Sequence, residues 1–475
     1  MVRAMNDLCR LSAIDAVAAL RTGDVSPMEL IEAAEERITE VEPLVNALPT
    51  TAFERARRHA ERLAASSLDN RPPHHLGGLP IAVKDLVPVA AVRTTWGSRV
   101  HQHHIPDASD VMVETLEHNG GIVIAKSNTP EFGAGSHTFN DVFGHTNNPW
   151  DVSRSAGGSS GGAAAALATG EVWLADGSDL GGSLRNPASF CGVVAIRPSP
   201  GRVARGPVED PWNNLSVRGP MGRTVADAAL MLDAMVGAHP ADPLSLPAPD
   251  TSFLDAALRQ TPPRRIAFSP DLGGITPVDP EVASICRKAV DRMADDGVSV
   301  EETSIDFSGA AEIFRVLRAL VFTERRGLLA HRDVVKPEVI ENIEAGLRLT
   351  PAEIASARSG RGDLLRRAAT FFEEYDLLAC PAAVVAPFPG QWRWPTEVAD
   401  QRLDSYIDWL LICAAVTLTS CPALSVPCGF TAEGLPVGLQ LVAALRAEHS
   451  LISAAAWWQA SSGLAAMVPR DPATT

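Results

Sequence analysis

Two short apolar segments with a helical segment between them constrain the fold of this chain more than any other feature. These segments, residues 79–83 and 121–125, have the length and composition of buried strands. Residues 111–119 between them are a candidate helix that a glycine pair, Gly120 and Gly121, brings to an end. A strand, a helix and a second strand in this order predict parallel strands. We therefore expect an α/β fold.

The N-terminal part of the chain is predicted to be helical. Ser26, Pro27 and Glu29 supply an N-cap, a proline suited to the first helical position and a capping-box acid. Apolar residues then recur at helical spacing and predict one buried stripe: Leu30, Ala34, Ile38 and Val41. We expect N-terminal helices over residues 1–70.

The composition is that of a globular, acidic protein. Of 475 residues, 46% are hydrophobic and 21% are charged, which excludes wholesale disorder and a coiled coil. The net charge of −16 repels phosphate backbones and anionic lipids, so we expect neither a nucleic acid nor a membrane as partner. One uncharged run, residues 409–430, is long enough to cross a bilayer. Its prolines and hydroxyl residues instead predict a buried helix followed by a buried strand.

The cysteines, histidines and N-terminus indicate a cytoplasmic protein without a metal site. The seven cysteines are an odd number without a CxxC pair, which predicts reduced thiols and neither a disulfide framework nor a zinc site. His101, His103 and His104 have no second ligand cluster at zinc spacing, so a solvated loop is favoured over a metal site. The N-terminal residues lack the apolar core of a secretory signal peptide.

Residues 154–170 form a glycine- and serine-rich segment that runs directly into an alanine-rich helix. A flexible linker does not usually continue into a strong helix former, whereas glycines before a helix expose backbone N–H groups. The segment lacks the Gly-Lys-Ser/Thr ending of a phosphate-binding loop. It matches the nucleophile elbow of α/β-hydrolase-type esterases through Ser159 and Ser160, but that elbow follows a buried strand, and residues 148–154 are predicted to be a polar loop.

A further serine lies in another glycine-rich stretch, residues 177–187. Two glycines before Ser183 let the backbone fold tightly, so that consecutive N–H groups can face one point. An oxyanion hole requires such an arrangement. An ordinary glycine turn would have the same sequence, so this stretch alone leaves both interpretations open.

Taken together, these segments resemble the motifs of the amidase signature family. Residues 78–85 are similar to its lysine motif, residues 157–162 to its serine–glycine core, and residues 178–185 to its nucleophile loop. Flanking segments are similar as well: residues 126–132, 148–149, 191–194, 422–427 and 434–440. The resemblance extends from the N-terminal helices to about residue 460.

The resemblance implies a single α/β domain over residues 1–475, with a mixed, twisted sheet flanked by helices and a signature core at about 78–200. It also implies a Ser–Ser–Lys triad, carried onto Ser183, Ser159 and Lys84. A serine hydroxyl is a poor nucleophile until a base takes its proton. Lys84 serves as that base only when neutral, so burial must bring its pKa well below the ordinary value.

Supporting residues follow from the same resemblance. Ser160 is expected to orient Lys84, while Asp179 and Arg185 are expected to brace the nucleophile loop as an ion pair. Backbone N–H groups are expected to hold the oxyanion: Leu180, Gly181, Gly182 and Ser183. The small residues of one segment are expected to leave space for the acyl group: Phe132, Gly133, Ala134 and Gly135.

The implied function is that of an amidase, a serine hydrolase that cleaves the C–N bond of a small amide through an acyl-enzyme. Carbamates (a urethanase activity) and esters are further expected substrates; no metal or organic cofactor is implied, and we expect a monomer or homodimer. The alternative is the glutaminase subunit of a tRNA-dependent amidotransferase. Those subunits usually carry glutamine where Asn186 stands, and residues 202–206 lack their tyrosine–glycine step.

Two features near the expected pocket stay open in the sequence. Trp392 and Trp394 lie in a proline-rich segment that could form part of the entrance, although core or surface positions are equally compatible. Thr417 stands where many relatives carry asparagine, a change expected to alter the pocket wall.

Overall fold

Strands and helices follow one another along the chain in this computed structural model, which describes residues 5–64 and 72–474. The strands are β1 (Thr50–Thr51), β2 (Pro80–Lys84), β3 (Ile122–Ser127), β4 (Phe139–Asn140), β5 (Gly144–His145), β6 (Asn147–Asn148), β7 (Asp151–Ser155), β8 (Leu174–Asp179), β9 (Val194–Arg197), β10 (Val217–Gly222), β11 (Arg265–Phe268), β12 (Ser299–Glu302), β13 (Leu377–Pro381), β14 (Glu397–Val398), β15 (Gln401–Arg402), β16 (Ala423–Phe430) and β17 (Pro436–Val442). The α-helices are α1 (Asp7–Arg10), α2 (Ala13–Thr22), α3 (Pro27–Val45), α4 (Phe53–Ala64), α5 (Val111–His118), α6 (Gly161–Thr169), α7 (Arg185–Cys191), α8 (Val225–Met235), α9 (Phe253–Arg259), α10 (Pro280–Asp295), α11 (Ala310–Phe322), α12 (Pro337–Arg348), α13 (Pro351–Phe371), α14 (Leu411–Leu418) and α15 (Glu448–Ser462).

Eleven of the described strands form one mixed sheet, in the order β1-β3-β2-β8-β10-β9-β16-β17-β13-β11-β12. The pairs β2–β3, β2–β8, β11–β12 and β11–β13 are parallel. The remaining pairs of this sheet are antiparallel. The strands predicted at 79–83 and 121–125 are β2 and β3, and the helix predicted between them is α5. The predicted fold class, an α/β fold with a mixed sheet flanked by helices, is therefore confirmed.

The N-terminal region is helical wherever the structure describes it as regular over α1 to α4. Helix α3 begins with the predicted capping box, because Ser26 Oγ accepts from Glu29 N–H while the Glu29 carboxylate accepts from Ser26 N–H. The predicted apolar stripe of this helix is buried. Of the predicted helical region 1–70, residues 1–4 and 65–70 lie outside the described residues.

The long uncharged run folds as predicted into a buried helix, α14, and a mostly buried strand, β16, that pairs with β9 and β17. In the part of the chain that the structure describes, no helix has both the length and the apolar character that a membrane crossing requires. The seven cysteines are free and buried, as expected for reduced thiols.

The segment before the first candidate serines differs from the prediction. Residues 148–154 are predicted to form a polar loop, yet β7 pairs with β6 in a two-stranded ribbon outside the main sheet. Polar residues tolerate this position because only part of such a ribbon needs burial, and the side chains of Ser153 and Asp151 bond each other at 2.7 Å. Since Ser159 and Ser160 do not follow a strand of the main sheet, the α/β-hydrolase interpretation is wrong.

Helix α6 is buried along its whole length and brings the serine-rich loop against the sheet. Its run of alanines and glycines makes this close approach possible. A Cβ at Gly162 would lie 2.3 Å from the backbone nitrogen of Asn128 and 2.5 Å from the carbonyl oxygen of Ala47. The small residues that resemble a linker in the sequence are therefore a packing requirement.

Candidate active site

Lys84 is the last residue of β2 and lies in the interior of the protein, with none of its surface exposed. Its backbone N–H donates to Asp176 Oδ1 on the neighbouring strand β8 at 2.6 Å. Its Nζ donates to three hydroxyl groups: Ser159 Oγ at 2.8 Å, Ser160 Oγ at 2.7 Å and Ser178 Oγ at 3.1 Å. The structure thus brings the predicted lysine and both predicted loop serines together.

Burial controls the protonation of Lys84. Desolvation lowers its pKa from 10.5 to about 7, although the nearby Asp176 carboxylate acts in the opposite direction. A large share of this amine is therefore neutral near pH 7. A neutral amine has a lone pair, so one of the three serine hydroxyls can donate to Nζ instead of accepting from it.

The loop that carries Ser159 and Ser160 is held by groups from several parts of the chain. Asn186 Oδ1 accepts from Gly158 N–H at 3.1 Å, and the peptide bond between Gly158 and Ser159 is cis. Ser160 N–H donates to the Ser183 carbonyl oxygen at 3.2 Å. This last bond ties the loop to the loop that carries the candidate nucleophile.

Ser183 lies in the turn between the end of β8 and the start of α7, where two glycines permit a tight path. Gly182 has φ of +117°, and a Cβ there would lie 2.7 Å from Cys413 Cβ. A Cβ at Gly181 would lie 2.8 Å from Phe314 Cζ. A side chain at either position would displace the turn, so both glycines are needed to place Ser183.

The predicted ion pair between Asp179 and Arg185 is present and fully buried. Arg185 donates to Asp179 twice, from Nε at 3.0 Å and from Nη2 at 2.8 Å, and Arg197 adds a second cation at 3.4 Å. These guanidinium groups hold the pKa of the Asp179 carboxyl well below its ordinary value, against the opposing effect of burial. Thr417 Oγ1 accepts from Arg185 at 2.9 Å, so this residue supports the ion pair and does not line the pocket.

The oxyanion donors differ from the prediction at one position. Gly182 N–H donates to Asp179 Oδ1 at 2.8 Å, so this group is committed to holding the turn. A carboxylate is a stronger acceptor than a carbonyl oxygen, which is why the turn binds the amide this way. The backbone N–H groups of Leu180, Gly181 and Ser183 donate to no other described residue and remain candidates for the oxyanion hole.

A cavity of about 190 Å³ opens onto the serines. Of the predicted acyl-pocket segment, Phe132 and Gly133 line it. Ala134 and Gly135 do not, and the prediction is wrong for them. Ala134 is buried in a separate apolar cluster, and its carbonyl oxygen accepts from Lys336 Nζ at 3.1 Å. A Cβ at Gly135 would lie 2.9 Å from the same Nζ, so both residues pack against the residue that precedes α12.

The tryptophans and histidines considered in the sequence lie elsewhere. Trp392 stacks on Phe388 and is about half exposed, and neither Trp392 nor Trp394 lines the cavity. His137 is buried between the Gly390 carbonyl oxygen and Ser155 Oγ, and burial lowers its pKa to about 3. The rings of His101 and His104 pack around Trp96 at centroid distances of 5.0 Å and 5.2 Å.

Two groups of residues at the site are missing from the sequence-based prediction. Ser178, the third hydroxyl on Lys84, stands where the family commonly has another small residue, and this departure was the available signal. Arg318 and Arg325 also line the cavity. Arg318 occurs four residues after Phe314 and four before Phe322, so helical periodicity already places it on a buried stripe.

Comparison with known proteins supports the family resemblance. A family model described as Amidase matches residues 29–452. The chain belongs to the amidase signature family. An acylamidase of Rhodococcus erythropolis is 35% identical over 466 residues, which cover 97% of each chain. The GatA-type component of a glutamyl-tRNA(Gln) amidotransferase from Synechococcus sp. (strain RCC307) is 33% identical over 492 residues, covering 96% of this chain and 98% of the relative.

The architecture agrees with this membership. A solved structure described as a bacterial aryl acylamidase of the amidase signature family superposes with a TM-score of 0.91 at 25% identity, covering 98% of this chain and 100% of the other. Members of this family act on C–N bonds of amides. This amidase signature chain is therefore an amide-hydrolysing enzyme, and its relatives include both acylamidases and components of amidotransferases.

Proposed function

We propose that this protein is an independent amidase that works through an acyl-enzyme on Ser183, with Ser159 as proton relay and Lys84 as base. The observation that carries the proposal is the environment of Lys84. A fully buried amine with a pKa lowered to about 7 contacts the hydroxyl of Ser159 at 2.8 Å. A general base is most effective when its pKa lies close to the working pH.

In the first half of the reaction, Ser183 Oγ attacks the amide carbonyl carbon. Ser159 accepts the Ser183 proton and passes its own proton to neutral Lys84. The negative charge that develops on the carbonyl oxygen is stabilised by backbone N–H groups of the nucleophile turn: Leu180, Gly181 and Ser183. The same proton then returns through Ser159 to the nitrogen of the leaving amine as the C–N bond breaks.

In the second half, water attacks the acyl-Ser183 carbonyl carbon and gives a proton to Lys84 through the same relay. The acid is released and the proton returns to Ser183 Oγ. Because the relay serves both halves, the site uses only groups of this chain. Carbamates and esters belong to the proposed range, since their carbonyl groups present the same geometry and an alcohol leaves more easily than an amine.

Ser160 and Ser178 act in this proposal as positioning residues for Lys84. Each provides an oxygen within 3.1 Å of Nζ, which restrains the amine in its approach to Ser159. The buried ion pair between Asp179 and Arg185 supports the turn, because the Asp179 carboxylate also accepts from Leu184 N–H at 3.1 Å.

A glutaminase component of a tRNA-dependent amidotransferase is the second candidate, because an amidotransferase relative is 33% identical over most of the chain. Against it, Asn186 stands where those components usually carry glutamine. In this chain the Asn186 side chain is used to hold Gly158 N–H. The test is hydrolysis of a neutral 4-nitroanilide by the purified chain without ATP, tRNA or a second protein.

The expected result is release of 4-nitroaniline together with covalent labelling of Ser183 by a fluorophosphonate probe, located by peptide mass spectrometry. Labelling of Ser159 or Ser160 instead would contradict the proposed nucleophile. Turnover that appears only when ATP and a partner protein are added would support the amidotransferase role instead.

A further inference from the structure

Two arginines that line the cavity beside Ser183 have no acidic partner. Arg318 is only 4% exposed, and its Nη1 donates to the neutral amide oxygen Asn342 Oδ1 at 2.9 Å. Neither Arg318 nor Arg325 has a carboxylate oxygen within 4.0 Å in the described parts of the chain. The arginines close to them in sequence behave differently, since Arg315 pairs with Asp408 at 2.7 Å and Arg326 with Glu209 at 3.6 Å.

Aromatic rings surround the two guanidinium groups. Arg318 lies 4.4 Å from the centre of the Phe322 ring and 5.3 Å from that of Tyr406, and Arg325 lies 5.5 Å from the Phe322 ring. A cation–π contact contributes about 1–2 kcal/mol, which is less than the cost of burying an unpaired charge. Burial also lowers the pKa of both arginines. The two guanidinium groups therefore form a positively charged region that no carboxylate of the described chain pairs with directly.

This region is close to the reacting groups. Helix α11 carries both Phe314, which contacts the nucleophile turn at Gly181, and Arg318 one helical turn later. One turn of helix advances about 5.4 Å. On the other wall, Arg325 faces the ring of Phe132, and a Cβ on the next residue, Gly133, would lie 3.4 Å from Ser159 Oγ. A group held between the arginines would thus be a few bonds away from a carbonyl at Ser183.

The acidic residues of the cavity lie towards a second cavity. Asp210 and Glu324 line the first cavity, but they also line the neighbouring one, which Arg318 and Arg325 do not reach. Negative charge is thus concentrated at the junction of the two cavities, and the two unpaired arginines belong to the serine-containing cavity alone.

We propose that Arg318 and Arg325 form a subsite for a carboxylate carried by the amide substrate, a few bonds from the scissile carbonyl. The planar guanidinium group matches a carboxylate in geometry and forms charge-assisted hydrogen bonds with it. This inference rests on the proposed amidase function and specifies its substrate class. The cavity volume of about 190 Å³ suits the amide of a short dicarboxylic acid.

The test compares anilides that differ only in charge. The 4-nitroanilides of malonic, succinic and glutaric acid carry a carboxylate at three spacings, and the 4-methylpentanoyl anilide replaces the glutaryl carboxylate by an isopropyl-type group of similar size. We expect kcat/KM of the best acidic anilide to exceed that of the neutral one at least tenfold, the effect of a hydrogen bond to a charged group. A ratio of one or less at every spacing would overturn the inference.

Variants then assign that ratio to the two arginines. Arg325→Gln and Arg318→Lys are expected to reduce the ratio of acidic to neutral kcat/KM at least fivefold. Arg326→Gln is the matched control, because this exposed arginine pairs with Glu209 and does not line the cavity, and it should leave the ratio unchanged. An unchanged ratio in both cavity variants would refute the subsite even if the wild type prefers acidic substrates.

A binding measurement separates this inference from the proposed catalysis. Glutarate should raise the melting temperature of the wild type and of Ser183→Ala, and should do so less in Arg325→Gln than in Arg326→Gln. If no anilide is hydrolysed but glutarate stabilises the protein in this arginine-dependent way, the proposed function fails and the subsite stands. If neutral anilides are hydrolysed and glutarate gives no shift, the subsite alone fails.

Discussion

Replacing Lys84 with methionine should remove a pH dependence of both turnover and stability. Methionine has nearly the length of lysine but no charge. In the wild type the pKa of Lys84 falls from 10.5 in the unfolded chain to about 7 in the folded protein. Below pH 7 the amine is charged in both states and the full penalty of burying that charge, about 5 kcal/mol, applies.

The sign of the effect follows from proton binding. Between about pH 7 and pH 10.5 the unfolded chain binds the proton and the folded protein does not, so stability rises with pH over this interval. The penalty decreases from about 5 kcal/mol at pH 6 to about 2 kcal/mol at pH 9. Lys84→Met lacks this contribution at every pH. The advantage in unfolding free energy of Lys84→Met over the wild type should therefore shrink by about 3 kcal/mol between pH 6 and pH 9.

The measurement is urea unfolding followed by circular dichroism at about pH 6, 7.5 and 9, combined with kcat/KM of the wild type over the same range. Wild-type kcat/KM should rise with pH and level off above about 7, and Lys84→Met should be inactive. Lys126→Met is the matched control, because burial also lowers the pKa of Lys126, to about 8, yet its amine contacts Thr94 and not the serines. It should keep the activity limb near pH 7.

Parallel stability curves for the wild type and Lys84→Met would show that the pKa of Lys84 is not lowered in the folded protein. Activity of Lys84→Arg with the same pH limb would refute the assignment of the base, because arginine does not release its proton in proteins. His137 could not replace Lys84 in producing a limb near pH 7, since its pKa is lowered to about 3.

Further predictions concern the residues around the nucleophile. Ser183→Ala should lose nearly all turnover with an unchanged circular dichroism spectrum, and residual wild-type turnover would move the nucleophile elsewhere. Asp179→Asn leaves two buried guanidinium groups without a carboxylate and should cost on the order of 3 kcal/mol or more, seen as a lower melting temperature and lower kcat; an unchanged melting temperature would contradict a bracing role. Gly182→Ala should lower stability and kcat together, because its φ of +117° and its contact with Cys413 exclude a Cβ, and wild-type behaviour would show that the turn is not constrained. Ser178→Ala removes an acceptor that favours the ammonium form of Lys84, so the pH midpoint of kcat/KM should move to lower pH, and a shift to higher pH would contradict this role.

Local patterns in the sequence were enough for the elements that bury one continuous apolar stripe or run. The capping box of α3, the pair of strands β2 and β3, and the buried helix and strand of the uncharged run are all readable without the fold. Each depends on residues close together in the chain, where spacing alone predicts which side is buried. The lysine and the serines of the candidate site were assigned through the family resemblance and not through periodicity.

The tertiary structure decided what depends on residues far apart in the chain. The commitment of Gly182 N–H to Asp179 and the packing of Ala134 against Lys336 are invisible in any local pattern. Burial of Lys84 on all sides, which lowers its pKa, requires strands and loops contributed by distant segments. The absence of a carboxylate beside Arg318 in the described structure is likewise a property of the assembled cavity, because a sequence shows which charges exist but not which of them meet.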